Sequence, residues 1–319
     1  MSFPASNIVY MGTPQFAVPT LQALAGSPWR VALVVTQPDR PSGRRRKLTP
    51  PPVKVAATEL GLPVLQPEDI NEPEAVQAIA AAQPDVIVTA AYGGYLRKAV
   101  RRLPRLGCIN LHPSLLPRHR GAAPVSYTFF AGDSVTGNSI IRMGARMDAG
   151  AILFQHQTPI DEHECYTTLE ARLAMQGADD VLHTLEMIFA GTITPTPQND
   201  ALATYTGKIE KNDLRVDWSR SAVEIRRHVR GLATQPAALT SFRGQPLKVI
   251  ACRVMQEESA AAPGTIVSLH KNEGIEVATG QGNLMLQQVQ PAGKRIMDAW
   301  AWHLGARLEP GEPLGDATC

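Results

Sequence analysis

The segment best equipped for chemistry is GCINLHPSLLPRHRGAAPV, residues 107–125. It begins as an apolar strand and places Asn110 and His112 two residues apart, so both side chains point the same way from the strand's end. An amide can donate to an oxygen that gains negative charge when a carbonyl is attacked, and an imidazole can move a proton. Hydrogen bonds that merely brace the loop would explain the same pair.

A third candidate, Asp148, follows an apolar strand in the segment RMGARMDAGAILF. A carboxylate at the mouth of a sheet can accept a hydrogen bond from one imidazole nitrogen and leave the other to act on a substrate. With no serine or cysteine partner, the substrate must bring its own nucleophile. The set therefore predicts group transfer between bound molecules, with a turn-capping role as the alternative for Asp148.

Other chemistries lack their signatures in this sequence. The loop after the first strand is GTPQFA rather than G-x-G-x-x-G, and neither a phosphate-binding G-x-x-x-x-G-K-[ST] nor a G-x-S-x-G motif occurs. Histidines and cysteines do not fall at metal-ligand spacing, so no metal is predicted. The four cysteines are scattered and no apolar run reaches 18 residues, which together favour a cytoplasmic protein with free thiols and no membrane span.

Two basic runs stand out against a net charge of only +2. The segment from Arg40 to Lys54 holds six basic residues and no acidic one, and that from Arg97 to Arg120 holds seven and none. Each run alone could be a solvated face, but two of them beside a candidate active site favour a polyanionic ligand such as nucleic acid.

The elements that must position these residues alternate between strands and helices in the first half of the chain. Apolar strand segments lie at NIVYMG, VALVVTQ, DVIVTAA, GCINLH, NSIIRMG and AILFQHQ. They predict a mostly parallel sheet covered on both faces, with ligands bound beyond the carboxyl ends of its strands. A helix near 168–190, with a capping box of Thr167 and Glu170, closes a domain over residues 1–191.

A Thr/Pro-rich stretch predicts a linker at 192–212, followed by a second domain at 213–319. The segment SAVEIRRHVRGL predicts a helix with Ala222, Ile225, Val229 and Leu232 on one face. Short strand segments broken by glycines then predict a small antiparallel barrel.

Taken together, NLHPSLLPRHRGAAP and MDAGAILF resemble the folate-dependent formyltransferases, in which N-x-H-x-S-L-L-P and a downstream Asp-x-Gly carry the catalytic Asn, His and Asp. The segments MGTPQFAVPTLQAL, VTQPDRPSGRRRKLTPPPVKVAA, AAYGGYL and TYTGKIEKNDLRVDWSRSA extend the resemblance over nearly the whole chain, toward members acting on methionyl-tRNA. The resemblance implies a Rossmann-like α/β N-terminal domain and an OB-like C-terminal β-barrel.

It also implies transfer of a formyl group from 10-formyltetrahydrofolate to the amino group of methionine on the initiator methionyl-tRNA, by a monomeric enzyme. Asn110 would stabilise the oxyanion, His112 would handle the amine proton, and Asp148 would orient and support the imidazole. The folate site would be formed by Ser114, Leu115, Leu116, Pro117, Tyr92 and Gly93. The tRNA would contact Phe16, Arg44, Arg45, Arg46, Lys47, Lys208 and Lys211, with guidance from the arginines beyond His112 and from the Arg226–Arg230 helix.

Some positions depart from the family pattern. Ala151 replaces a second acid after the Asp-x-Gly, His119 stands where an aromatic is common, and GLATQPAAL lacks the usual Pro-x-Pro. Alternatives are a glycinamide ribonucleotide formyltransferase, a sugar-nucleotide formyltransferase, or an RNA-binding module whose catalytic-looking residues are relics. The first would not need the basic insertion or the C-terminal domain, and the last would not need all three catalytic positions.

Overall fold

The computed structural model of the chain describes residues 6–42, 47–234, 236–256 and 259–315. These residues form two compact units. The first takes in the described residues of Met1–Pro124, Val135–Pro159 and Glu170–Thr206, and the second those of Val125–Ser134, Ile160–Leu169 and Gly207–Cys319.

The strands of the first unit are β1 (Asn7–Gly12), β2 (Arg30–Val35), β3 (Arg40–Ser42), β4 (Lys47–Thr49), β5 (Val64–Leu65), β6 (Val86–Ala90), β7 (Cys108–His112), β8 (Arg120–Gly121), β9 (Val135–Arg142), β10 (Ile152–Pro159) and β11 (Tyr205–Thr206). Its helices are α1 (Val18–Ala25), α2 (Pro52–Glu59), α3 (Pro73–Ala81) and α4 (Lys98–Arg101), with 3₁₀ turns at Gln15–Ala17 and Asp200–Leu202. Helices α5 (Pro124–Ala131) and α6 (Tyr166–Ala190) contribute residues to both units.

The main sheet of the first unit has the strand order β10-β9-β7-β6-β1-β2-β5. Strands β7, β6, β1, β2 and β5 pair in parallel, whereas β9 is antiparallel to both β7 and β10. The predicted mostly parallel sheet is confirmed. The four residues Ile8 to Met11 of β1 are fully buried, as expected for a strand covered on both faces.

This topology places the ends of β1, β6 and β7 along one edge of the sheet, because parallel strands share a direction. Strand β7 ends at His112, and Thr89 of β6 pairs with Asn110. The loop between β9 and β10 carries Asp148. The catalytic candidates therefore come from the end of one strand, β7, and from one loop.

Two predictions at the end of the first domain need correction. Helix α6 begins at Tyr166, so Thr167 lies in its first turn instead of capping it, and its Oγ1 donates to the carbonyl oxygen of Ala233 at 2.9 Å. Residues 200–206, predicted as part of a linker, form a 3₁₀ turn and β11, and they cluster with the first unit. Strand β11 pairs in parallel with β8, which explains why a stretch without periodicity is ordered.

The second unit contains β12 (Ala238–Phe242), β13 (Gln245–Val254), β14 (Ile266–His270), β15 (Gly274–Ala278), β16 (Asn283–Pro291) and β17 (Met297–Asp298), with α7 (Ala222–Leu232), α8 (Ala299–Ala306) and a 3₁₀ turn at Asn212–Leu214. Helix α7 confirms the predicted amphipathic helix. The four predicted apolar residues of its inner face are at most 2% exposed and belong to the core of the unit.

The strands of the second unit are antiparallel in the order β12-β13-β16-β15-β14, with β17 beside β16. The predicted antiparallel domain is confirmed, but its barrel is not closed within the described residues, since β12 and β14 are not paired with each other. Isolated bridges join Phe242 to Leu314 and Thr265 to Pro313. A short segment near residue 313 therefore stands where the closing pair of strands would be.

Cys108, Cys165 and Cys252 are free thiols, as predicted, whereas Cys319 lies outside the described residues. Among the helices of the described ranges, none combines the length and apolarity needed to cross a membrane.

Candidate active site

The amide of Asn110 lies beside Thr89 at the end of β7. Its Oδ1 accepts a hydrogen bond from Thr89 Oγ1 at 2.7 Å, and Thr89 is 2% exposed on the neighbouring strand β6. Because the oxygen faces Thr89, the NH₂ group is directed the other way and can donate to a substrate oxygen. The pattern of the sequence predicts Asn110, but Thr89 was missed, since a threonine inside an apolar strand looks like an ordinary core residue.

The ring of His112 is 4% exposed, and its tautomer follows from one contact. Nε2 lies 2.9 Å from the carbonyl oxygen of His119, which can only accept a hydrogen bond, so Nε2 carries the proton. Nδ1 of the neutral ring is then unprotonated. It faces Asp148 Oδ2 at 3.7 Å, which is beyond hydrogen-bond distance.

This geometry corrects one expectation from the sequence. Asp148 was expected to accept a hydrogen bond from one imidazole nitrogen and leave the other nitrogen free. The His119 carbonyl takes that role, and the nitrogen facing Asp148 is the basic one. When Nδ1 gains a proton, the carboxylate is close enough to stabilise the imidazolium by charge.

Burial lowers the pKa of His112 below its ordinary value of 6.5, because the charged ring is poorly solvated. The negative charge of Asp148 and the hydrogen bond to the His119 backbone oppose this effect, and the imidazole of His119 adds to it. The lowered pKa keeps His112 neutral near pH 7, the state in which Nδ1 can accept a proton.

Asp148 has a left-handed backbone with φ +49° and a half-buried side chain. Its Oδ2 accepts a hydrogen bond from the amide of Gly121 at 2.9 Å. Two glycines permit close backbone packing on either side of this contact: a Cβ on Gly121 would lie 2.2 Å from the Thr206 carbonyl oxygen, and one on Gly150 would lie 1.7 Å from that of Arg142. The RGAAP segment therefore approaches the Asp148 loop through backbone atoms.

The chain matches two family patterns, "Formyl transferase" over residues 6–185 and "Formyl transferase, C-terminal domain" over residues 208–307. The chain belongs to the formyl transferase family. Its resemblance to this family, expected from the sequence motifs, is confirmed.

Curated relatives match this formyl transferase along nearly its whole length. A methionyl-tRNA formyltransferase of Roseiflexus castenholzii (strain DSM 13941 / HLO8) is 47% identical over 311 residues, covering 97% of this chain and 99% of the relative. One of Bacillus subtilis (strain 168) is 42% identical over 311 residues, covering 97% and 98%.

Two solved structures share the fold at low sequence identity. HypX from Aquifex aeolicus, in complex with tetrahydrofolic acid, is 16% identical with a TM-score of 0.62, over 94% of this chain and 47% of that one. The chain thus spans about half the length of HypX. The sugar 3N-formyl transferase WlaRD, with dTDP and 5-N-formyl-THF, is 15% identical with a TM-score of 0.66, over 92% and 100%.

The predicted folate residues of this formyl transferase form a braced turn. Ser114 is fully buried and its Oγ donates to the carbonyl oxygen of Arg118 at 2.7 Å. The amide of Leu116, a buried residue, donates to Ser139 Oγ, and Gln155 Nε2 donates to the Leu116 carbonyl oxygen at 3.0 Å. Of the four predicted residues, only Leu115 and Pro117 are partly exposed, so a ligand would meet these two and the backbone.

Tyr92 and Gly93 lie just beyond the end of β6. The Tyr92 ring is 4% exposed, its burial raises its pKa to about 12, and Thr13 donates to its carbonyl oxygen at 2.8 Å. Gly93 is exposed with φ +84°. Gly93 thus has surface to offer a ligand, whereas Tyr92 belongs to the core.

The predicted tRNA residues fall into three groups. Lys47, Lys208 and Lys211 are exposed, and Arg44, Arg45 and Arg46 lie outside the described residues. Phe16 is only 5% exposed and packs in the core, and its contact with the tRNA stays a prediction.

The arginines expected to face RNA behave differently from one another. Arg120 is 1% exposed and lies inside the first unit. In the second unit, Arg226 donates to the Glu162 carbonyl oxygen at 2.9 Å, and Arg230 donates to those of Glu164 and Asp161. These three guanidinium groups all bind acceptors within the protein, and their guidance of a nucleic-acid backbone stays a prediction.

The described residues include no group of three or more His, Cys, Asp or Glu side chains placed to hold a metal ion.

Proposed function

We propose that this formyl transferase moves the formyl group of 10-formyltetrahydrofolate to the amino group of methionine on the initiator methionyl-tRNA. The observation that carries the proposal is the pairing of a directed Asn110 NH₂ with the unprotonated Nδ1 of His112. Relatives with the name methionyl-tRNA formyltransferase, matched over nearly the full chain, support the choice of substrates. Tetrahydrofolic acid in a protein of the same fold supports the choice of donor.

In this mechanism the substrate amine attacks the formyl carbon and forms a new C–N bond. Asn110 donates its NH₂ to the oxygen that becomes negative. His112 Nδ1 accepts the proton that the attacking nitrogen must lose, and Asp148 stabilises the imidazolium. His112 then returns that proton to the folate N10 as its bond to the formyl carbon breaks, so His112 ends neutral and ready for another cycle.

Asp148 does not remove a proton in this scheme. Its carboxylate already accepts the Gly121 amide and lies 3.7 Å from Nδ1, so it acts on the imidazole through charge. His112 therefore moves the proton and Asp148 stabilises the charged ring, while the substrate amine is the nucleophile.

The described lysines supply exposed positive charge for the tRNA backbone, and Arg44 to Arg46 would extend it. Phosphate contacts of this kind give affinity and orientation but little sequence information. Neutralising Arg44 to Lys47 together should weaken tRNA binding and make it less salt-dependent. The slope of log affinity against log salt concentration should become shallower by about one per lost phosphate contact. An unchanged slope would leave that segment as a solvated face.

The decisive experiment compares acceptors. The protein is incubated with 10-formyltetrahydrofolate and either charged initiator tRNA, glycinamide ribonucleotide or an amino-sugar nucleotide, and formyl transfer is measured. We expect formylation of the tRNA alone. Formylation of glycinamide ribonucleotide or of the sugar, without the tRNA, would overturn the proposal, and tRNA binding without transfer would favour an RNA-binding module.

We further propose a cytoplasmic location and a monomeric state, since initiator tRNA is charged and used in the cytoplasm and one chain holds the complete catalytic set. Sedimentation of the purified protein tests the monomer. A stable dimer would contradict it.

A further inference from the structure

Arg120 is a buried cation with three directed hydrogen bonds. Its Nε and Nη2 donate to Gln198 Oε1 at 3.0 and 2.7 Å, and Nη2 also donates to Asp200 Oδ1 at 2.8 Å. A buried guanidinium is costly unless its donors are satisfied, and Asp200 compensates its charge. Asp200 also accepts a hydrogen bond from Arg146 Nη1 at 2.8 Å, so its single negative charge is shared between two arginines, and Gln198 supplies the other acceptor for Arg120.

Gln198 connects Arg120 to the loop that carries Asp148. Its Nε2 donates to the carbonyl oxygens of Asp148 and Gly150, at 2.8 and 2.7 Å. The orientation of this amide is settled, since its oxygen faces two guanidinium donors and its nitrogen faces two carbonyl acceptors. One side chain thus holds the backbone on both sides of Ala149.

We propose that Gln198 and Arg120 are positioning residues that hold Asp148 beside His112 without a hydrogen bond to Nδ1. This proposal rests on the proposed function only for the catalytic importance of Asp148 and His112. The geometric part stands on the contacts alone.

The backbone of Asp148 explains why such a hold is needed. A non-glycine residue with positive φ is uncommon and keeps that conformation when its surroundings hold it there. Gln198 holds the carbonyl of Asp148, and the Gly121 amide holds its carboxylate. Without Gln198, the loop can relax and carry the carboxylate away from the imidazole.

Three consecutive residues, 119–121, also hold the two catalytic side chains in place. The His119 carbonyl fixes the tautomer of His112, the Arg120 side chain orients Gln198, and the Gly121 amide binds Asp148. Strand β11 fixes this segment in turn: the Arg120 amide donates to the Thr204 carbonyl oxygen, and Thr206 Oγ1 donates to that of Arg120. The position of Asp148 and the tautomer of His112 are therefore both set by residues 119–121.

If Gln198 positions Asp148, and does not merely stabilise the fold, its removal should change the pKa of His112. Two titratable side chains act on the His112 ring, the carboxylate of Asp148 and the imidazole of His119. Removing Gln198 should weaken only the Asp148 contribution, which favours the charged ring. The pKa of His112 should then fall, as it should in Asp148→Asn.

The first experiment measures that pKa by NMR titration of the His112 ring in the wild type, Gln198→Leu, Asp148→Asn and the double variant. We expect a lower pKa in both single variants and no further fall in the double variant, because Gln198 acts through Asp148. Gln66→Leu is the matched control. Gln66 also donates two hydrogen bonds, to the Gln37 carbonyl oxygen and Asp39 Oδ1, but does not contact Asp148.

The second experiment measures formyl transfer. In Gln198→Leu we expect kcat to fall about 10- to 100-fold, the range associated with misplacing a catalytic group, with KM for folate and for tRNA nearly unchanged. The acidic limb of the kcat profile should move to lower pH, which a simple loss of folded protein would not produce. Gln66→Leu should keep the wild-type kcat and limb.

Gln198→Glu covers the case in which Gln198→Leu does not fold. It keeps an acceptor for Arg120 but cannot donate to either carbonyl, so it should fold and still lose kcat. A wild-type kcat in a folded Gln198 variant, or an unchanged His112 pKa in Gln198→Leu, would overturn the proposal. The NMR readout needs no substrate, so failure of the tRNA assay in the wild type would count against the proposed function alone.

Discussion

A histidine–carboxylate pair at the candidate active site of the first unit and one in the second unit differ in how closely they are joined. In the first unit His112 Nδ1 lies 3.7 Å from Asp148 Oδ2, with the imidazole side chain 5% exposed. In the second unit His270 Nε2 lies 2.7 Å from Glu276 Oε2, with the imidazole side chain 33% exposed. The first pair is open, without a hydrogen bond, and the second is closed by one.

The closed pair is part of a hydrogen-bond network in the sheet of the second unit. Glu276 is 4% exposed, and its two oxygens accept hydrogen bonds from Ser268, His270 and Asn283. Burial acts to raise the pKa of Glu276, but these three donors together outweigh it and hold the pKa below its ordinary value. Both oxygens of the carboxylate are engaged within the protein.

The difference teaches what a histidine and an acid need before they can act on a substrate. In the closed pair the imidazole Nε2 is hydrogen-bonded to a carboxylate whose two oxygens are both engaged within the protein. In the open pair the His119 carbonyl takes the proton-bearing nitrogen, and Nδ1 remains basic. In this protein a histidine–carboxylate contact alone therefore does not mark the candidate active site, whereas the unprotonated Nδ1 of His112 beside Asn110 does.

The largest test of this comparison replaces each histidine. His112→Ala should lower kcat by about 10²- to 10⁴-fold, the usual contribution of general acid–base catalysis, while leaving tRNA affinity close to that of the wild type. His270→Ala should leave kcat unchanged. Steady-state kinetics and a filter-binding assay measure both, and equal losses in the two variants would remove the distinction.

A second test closes the open pair. Asp148→Glu adds one methylene, which brings a carboxylate within hydrogen-bond distance of Nδ1. We expect a higher pKa for His112 and a fall in kcat of about 10- to 100-fold, since the base is then engaged and its carboxylate misplaced. Asp148→Asn should also lower kcat but lower the pKa. If both variants moved the pKa the same way, the open geometry would not be what matters.

A third test opens the closed pair. Glu276→Ala leaves Ser268 and Asn283 without their acceptor, so the free energy of unfolding should fall by about 1–3 kcal/mol. Urea unfolding measures the loss, and kcat per folded molecule should stay at the wild-type value. A catalytic defect with full stability would mean that the second pair is more than structural.

The smallest expected effect separates the pairs by pH. The folded pKa of His112 lies below 6.5, so the unfolded chain takes up the proton first, and stability should fall as the pH drops below that value. The folded pKa of Glu276 lies below 4.5, so its contribution is present above that pH and lost as the pH falls further. The free energy of unfolding, measured across this pH range, should lose its decline below pH 6.5 in His112→Asn. It should lose its decline below pH 4.5 in Glu276→Gln.

Much of the fold follows from local patterns in the sequence. The main strands of the first sheet are predictable because each is an apolar run, and α7 is predictable from its spacing of Ile225 and Val229. Strand β5 was missed because two residues carry no periodicity. The capping role of Thr167 was wrong because a tertiary contact with Ala233 competes for its hydroxyl.

The residue types of the site can also be predicted from local motifs, whereas their contacts with residues distant in the sequence cannot. Asn110, His112 and Asp148 are predictable from motif spacing, but the tautomer of His112 depends on a carbonyl seven residues away that no residue type reveals. Arg120 looks like a solvent-facing base in the sequence. Its burial depends on Gln198, 78 residues further along the chain, in a stretch that resembles a linker.

The segment that follows α8 also has a consequence for solubility. The amides of Ile266, Gly311 and Leu314 donate to the carbonyl oxygens of Glu312, Ile266 and Gly264, at 2.8, 2.8 and 2.7 Å, and the Gly315 amide donates to that of Ser241. These bonds cover backbone groups beside β12 and β14 that would otherwise be open strand edges. A chain shortened before residue 311 would expose both edges, and such edges invite pairing between molecules. Residues 311–315 thus protect the second unit against aggregation as well as completing its fold.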